Sequence, residues 1–273
     1  MAYMAFDPKQ FTTQKAKPLP VILMLDTSGS MDIITNPDEV RRTGRTGVVD
    51  GQNVEFVEGG ITRISVLNDS VRKMLKTLAK YERDNTEFLV AIITFGEDVR
   101  LVLPPSPAAD VRFTDLNANG NTPLGNALAI AKNLIEDRAQ IPSRAYRPLV
   151  ILVSDGLPDA GWETAFENFI HNGRSAKCDR MALAIGKEAD RDMLGKFVEG
   201  TGHSVAEADT AEEITKFFKF VTMSTVQRTL AQDPNQVPKD ANVEQPQVPG
   251  GGNSGEQQKN PPDDPPDDEE GYW

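Results

Sequence analysis

The chain has 273 residues, enough for one large domain or two small ones, and 38% apolar residues, enough for a core. Its net charge of −12 comes without a basic footprint, which argues against nucleic-acid binding, and no run of 18 apolar residues is present to enter a membrane. A single cysteine, Cys178, excludes an intrachain disulfide framework and a cysteine-based zinc site; it fits a reducing cytoplasm and the role of a small core filler.

In chain order, residues 1–17 read as an N-terminal extension without the basic end and apolar centre of a secretory signal. A folded domain is expected over 18–230. Its first strand is the apolar run 21–25, which leads directly into Asp26, Ser28 and Ser30. Residues 47–57 suggest a hairpin turning at Asp50-Gly51, after a local basic cluster of Arg41, Arg42 and Arg45. Helical spacing then joins Ile64, Leu67, Val71, Met74, Leu75 and Leu78.

Strands follow at 88–95 and 99–103, and the short link GEDV between them predicts an antiparallel edge strand. A second helix carries Leu124, Leu128, Ala131, Leu134 and Ile135. A strand at 149–153 and helices around Phe166–Phe169 spacing and Met193, Leu194 and Phe197 come next, with strands at 180–185 and 204–208 between and after them. Ile214, Phe217, Phe218 and Val221 mark the last helix. Strands alternating with helices predict an α/β fold: a mostly parallel central sheet, one antiparallel edge strand, and helices on both faces.

Residues 231–273 differ in kind. They carry ten acidic residues and two lysines, so −8 of the −12 lies there, among repeated Pro, Gln, Asn and Gly. Such a segment buries too little apolar surface to fold and is read as a disordered acidic tail. Tyr272 and Trp273 follow its acidic run, either as a short docking motif for a basic, grooved partner or as part of a solubilising tail.

In an open α/β sheet, sites form beyond the carboxyl ends of the strands. Three oxygen-bearing loops are expected there. One carries Asp26, Ser28 and Ser30 at alternate positions, so that one loop can turn all three towards one point. Another is 119–125, NGNTPLG, with Thr122; the third is 154–156, SDG, with Asp155. Each has a plainer reading. The Ser/Gly loop would serve as a capping turn, Thr122 before Pro123 as a helix cap, and Asp155-Gly156 as a common turn pair. Together, two carboxylates and three hydroxyls suit a hard cation: Mg²⁺, with Mn²⁺ as the alternative, while so few carboxylates disfavour Ca²⁺.

With these residues in view, Asp26-Thr27-Ser28-Gly29-Ser30, Thr122 and Ser154-Asp155-Gly156 resemble the metal-ion-dependent adhesion site of von Willebrand factor A domains, over about residues 18–228. The resemblance implies a Rossmann-like domain in which Ser28, Ser30 and Thr122 meet Mg²⁺ directly. Asp26 and Asp155 would act through water, and a partner protein would donate an Asp or Glu carboxylate to the open position. Residues 147–162 with the loop GNTPLGNAL are most similar to bacterial TerY-type proteins, associated with tellurium resistance and stress response. That similarity implies a protein kinase or PP2C-type phosphatase as partners.

This chain departs from compact relatives in two ways. An acidic tail stands where some carry a cysteine-rich module, and residues 32–60 look inserted before the first helix. The insertion leaves the sheet at the metal edge, where it would either shape partner choice or sit as a peripheral hairpin.

Catalysis fits the residues less well. An aspartyl-phosphate phosphatase of the haloacid dehalogenase class wants a second Asp at position 28, which is Ser28. His171 and His203 are expected at the surface or at helix ends, away from the metal edge. No GxxxxGK[ST] loop is present. The favoured function is a non-enzymatic, metal-dependent protein-binding module. The alternatives are a metal-dependent phosphotransfer enzyme and a scaffold that binds through its acidic tail.

Overall fold

A computed structural model describes residues 16–36, 40–49, 51–82, 86–231 and 234–235. The N-terminal extension up to residue 15 and the acidic tail from residue 236, with Tyr272 and Trp273, lie outside the described residues.

Among the described residues, eight strands form a six-stranded sheet and a separate hairpin. β1 (Lys17–Asp26) is central. β4 (Thr86–Phe95) and β5 (Val99–Pro107) lie on one side of it, and β6 (Leu149–Ser154), β7 (Asp179–Ile185) and β8 (Ala206–Ala208) on the other, in the order β5-β4-β1-β6-β7-β8. Only β5 runs antiparallel, at the edge, as the short link to β4 predicts. β2 (Arg41–Val49) and β3 (Gln52–Glu58) pair with each other as an antiparallel hairpin, with Val49 opposite Gln52.

The pleat explains the two-sided core. Along β1, Leu19, Val21, Leu23 and Leu25 face one side, while Ile22 and Met24 face the other. The first face is covered by α1 (Arg63–Tyr81) and α5 (Ala211–Leu230). The second is covered by α2 (Leu124–Glu136), α3 (Glu163–His171) and α4 (Arg191–Val198). On β7 the second face carries the small Ala182 and Ala184 beside the buried Arg180, and α4 packs there with Leu194 and Phe197. Cys178 is buried in this second layer, where burial pushes its thiol up to about 12 and leaves it unreactive.

Two strands are longer than their apolar runs. β1 begins at Lys17, four residues before the run, and includes Pro18 and Pro20. The prolines are tolerated because β6 pairs with β1 only from Val21 onward, so this stretch has a sheet neighbour on one side alone. β5 continues through Pro104 and Pro105 to Pro107, with register shifts opposite Val90 and Ile92, as an edge strand allows.

His203 corrects the expectation of a surface histidine. Its side chain is 2% exposed, with Nε2 3.4 Å from Asp179 Oδ1. Arg228 of α5, 1% exposed, lies 3.8 Å from Asp179 Oδ2. Arg228 also donates to the carbonyls of Arg147 and Pro234. This cluster ties the last helix to the amino end of the sheet. His171 does sit exposed at a helix end, beside Glu167.

Candidate metal centre

The strand order reverses between β1 and β6, because the chain leaves β1 to one side and returns on the other. A crevice is expected at the carboxyl ends of these two strands. Asp26 is the last residue of β1 and Ser154 the last of β6. The loop after β1 is held on its other side by the segment before α2: Gly29 N–H donates to the Gly120 carbonyl at 2.9 Å, and Asn119 N–H to the Thr27 carbonyl at 2.8 Å. Gly120 must be glycine, since its φ is +82° and a Cβ would stand 2.3 Å from the Glu97 backbone. These two loops are therefore joined by their backbones before any side chain is considered.

Asp26 is fully buried. Its Oδ1 accepts Ser28 N–H at 2.9 Å and its Oδ2 accepts the Ser154 hydroxyl at 2.8 Å. One oxygen thus shapes the loop after β1 and the other ties it to the end of β6. Asp155 Oδ1 accepts the Ser30 hydroxyl at 2.7 Å and, at 3.4 Å, that of Ser28; the two serine oxygens are 3.0 Å apart. These hydroxyls turn inward, so the capping-turn alternative is not the one taken: Ser28 makes no side-chain cap bond, and Thr62 caps α1 instead.

Thr122 is equally informative. It is buried, and α2 begins at Leu124 with no side-chain cap, so the cap expected of Thr122 is not made. Among the described residues its hydroxyl has no hydrogen-bond partner. A Cβ placed on Gly156 would lie 3.7 Å from Thr122 Oγ1 and 4.0 Å from Ser30 Oγ, so both hydroxyls border the space that this glycine leaves open. That space belongs to a cavity of about 550 Å³ lined by Ser30, Thr122, Asp155 and Gly156, and also by Val54 of the hairpin and Leu157.

Charge is in surplus here. Burial, and then the Asp155 charge, push the Asp26 carboxyl up to about 7, against the pull of its hydrogen bonds. Burial also raises Asp155, partly offset by Ser30 and by Arg63. Two buried acids beside three hydroxyls, one of them unspent, and open space above them match the donor set of a hard divalent cation.

Arg63 carries no sequence signal as a cavity residue. Its Nη1 donates to Asp155 Oδ2 at 2.9 Å, and its Nη2 is 3.8 Å from Glu188 Oε2. A basic residue in the first turn opposes the helix dipole, and that mismatch was the one available hint of an acidic partner. Ser154 was visible only as part of its loop. Asp159 is also drawn in: its N–H donates to the Thr122 carbonyl at 2.9 Å.

Fold and site together define an α/β domain with its candidate ligands at the carboxyl edge of the sheet. The sequence signature of the von Willebrand factor type A domain matches residues 21–157, half of the chain, and the chain belongs to that family. It is 34% identical over 172 residues to the uncharacterized protein Rv2850c of Mycobacterium tuberculosis. That match covers 56% of this chain and only 26% of the relative, so the chain spans about a quarter of that protein's length.

Among solved structures, the fold is similar to the PilB minor pilin of Streptococcus sanguinis, with a TM-score of 0.53 and 16% identity over 78% of this chain and 62% of the pilin. It is also similar to proximal thread matrix protein 1 of the mussel byssus, described with a zinc-occupied MIDAS motif. There the TM-score is 0.52 and the identity 15%, over 76% of this chain and 48% of the mussel protein. At such identities these two likenesses speak to the fold.

Proposed function

We propose that this domain binds a protein partner through a divalent cation held by Asp26, Ser28, Ser30, Thr122 and Asp155. Mg²⁺ is the favoured ion and Mn²⁺ the alternative. Ser28, Ser30 and Thr122 would supply neutral oxygens directly, and Asp26 and Asp155 would act through water while fixing the hydroxyls. When bound, the cation would accept a carboxylate from an Asp or Glu of the partner.

The observation that carries this reading is the unspent hydroxyl of the buried residue Thr122, which borders with Ser30 the space beside Gly156. The zinc named for the mussel protein supports a metal at the corresponding edge. Neutral first ligands leave the ion electrophilic, which favours capture of an anionic side chain.

The same geometry favours binding over phosphotransfer. Both oxygens of Asp26 are engaged by Ser28 and Ser154, which disfavours it as a nucleophile, and position 28 offers no acid. The inserted hairpin is assigned a part in partner choice, because Val54 lines the cavity with the candidate ligands. A narrower form places the protein in the cytoplasm of a bacterium, in a stress or tellurium-resistance system with kinase or PP2C-type phosphatase partners. That form rests on the TerY-type resemblance of two loops. The acidic tail is a further candidate donor of the carboxylate.

Proton-relaxation titration with Mn²⁺ tests the reading. Saturable binding that disappears in Asp155→Ala, with the far-ultraviolet circular dichroism of the fold retained, is the expected result. Unchanged binding in that variant would reject the site.

A further inference from the structure

Arg63 opens α1 and reaches back over the candidate metal centre. Its backbone N–H donates to the Ile33 carbonyl at 2.9 Å, which fastens the start of the helix to the loop carrying Ser28 and Ser30. Its side chain is 11% exposed. The room it occupies is reserved for it: Gly186 has φ +74°, and a Cβ there would stand 2.2 Å from Arg63 Nη2.

A guanidinium has five N–H donors. Among the described residues the Arg63 side chain makes one hydrogen bond, from Nη1 to Asp155 Oδ2. Glu188 Oε2, at 3.8 Å from Nη2, is too far for a second, and the Glu188 side chain is half exposed. Most donors of this largely buried cation are uncommitted and open to an oxygen atom that enters from solvent. Arg63 lines the same cavity as Ser30, Thr122 and Asp155, so its spare donors stand beside the place where a carboxylate would arrive.

We propose that Arg63 is a specificity-determining residue of this site and holds the second oxygen of the incoming carboxylate, whose first oxygen meets the cation. This rests on the metal-dependent binding reading above. The ligand is thereby defined as a planar, two-oxygen anion: a fork of donors suits it better than it suits a neutral carbonyl. Glu188 then plays the part of an internal competitor that loosely occupies Nη2 when no ligand is bound. The guanidinium also places a positive charge near the cation, so Arg63 weakens retention of the metal alone and favours metal and carboxylate together.

The test uses the full chain, Mn²⁺ and acetate as the carboxylate probe, with chloride balancing ionic strength. Acetate affinity of the Mn²⁺-loaded protein is read from displacement of metal-bound water in proton relaxation. Arg63→Gln is expected to weaken acetate about tenfold, the size of one lost charge-assisted hydrogen bond, while Mn²⁺ alone binds as well or better. Arg63→Lys is expected to fall between, because it keeps the charge and loses the fork. Glu188→Gln is expected to tighten acetate a few-fold.

Native acetate affinity in Arg63→Gln would overturn the assignment. So would a parallel loss of Mn²⁺ and acetate, since Arg63 would then only hold Asp155 in place. Failure of the native chain to bind Mn²⁺ at all would instead bring down the metal reading, and this inference with it.

Discussion

Two edges of one sheet bury charge in opposite ways. At the amino edge, Asp179 lies between His203 and Arg228, and all three side chains are at most 2% exposed. An acid lies between an imidazole and a guanidinium there, and Arg228 spends two further donors on carbonyls. At the carboxyl edge, two acids, Asp26 and Asp155, face a single cation, Arg63, and a threonine hydroxyl faces open space. A buried cluster whose acid and guanidinium offset each other serves to join parts of the fold, although Asp179 Oδ2 and Arg228 Nη1, 3.8 Å apart, fall short of a hydrogen bond. A cluster with surplus negative charge, spare oxygens and a cavity is poised to take something from solution.

The contrast breaks most sharply at Arg228. Replacing it with Met would leave Asp179 without its arginine in the interior, and unfolding stability should drop by about 3–5 kcal/mol. Urea denaturation would measure this, and Mn²⁺ affinity should be unchanged. The reverse pattern is expected at Asp26→Asn, which keeps the shape but removes the charge. Mn²⁺ affinity should fall about 10–100-fold, as for other residues that orient ligands, while metal-free stability stays level or rises.

The pH dependence follows from the same carboxyl. Asp26 is raised in the folded chain to about 7 from 3.8, so between these values the native state keeps a proton that the unfolded chain releases. Its contribution to metal-free stability is therefore lost as pH rises from about 4 to 7 and is level above. Cation binding must displace that proton. Mn²⁺ affinity should weaken below pH 7, approaching about tenfold per pH unit for one proton. A flat profile between pH 8 and 6 would show that Asp26 is already ionised in the free site.

The smallest effect belongs to the hairpin. Deleting residues 36–59 should leave Mn²⁺ affinity within about twofold, because the hairpin supplies Val54 and no candidate ligand to the cavity. Affinity for a carboxylate-bearing partner should fall. Full partner affinity after deletion would reassign β2 and β3 to the periphery.

Much of this was legible in the chain, and the rest was hidden for physical reasons. The apolar runs 21–25 of β1, 88–93 of β4, 149–153 of β6 and 181–185 of β7 announce a sheet covered on both faces, because apolar residues follow one another without alternation. Pro18, Pro20, Pro104 and Pro105 disguise the true ends of β1 and β5, since only the pairing pattern shows where a missing N–H does no harm. The candidate ligands were visible because each loop pairs its oxygens with a strand or helix end. What the one-dimensional pattern lacked was their competition: only the folded chain tells that the Thr122 hydroxyl is not spent on a cap. Arg63 and His203 stayed hidden because their partners, Asp155 and Asp179, are distant in sequence and meet them only through packing.

The central claim is that the carboxyl edge, and Thr122 in particular, is built for a cation. It is met most directly by comparing Mn²⁺ binding in the native chain and in Thr122→Ala, each checked by thermal unfolding. The account predicts one saturable site per native chain. It also predicts a loss of affinity of at least about tenfold in the variant, with melting unchanged in the absence of metal. Equal Mn²⁺ affinity in the two proteins, or no saturable binding in either, would contradict it.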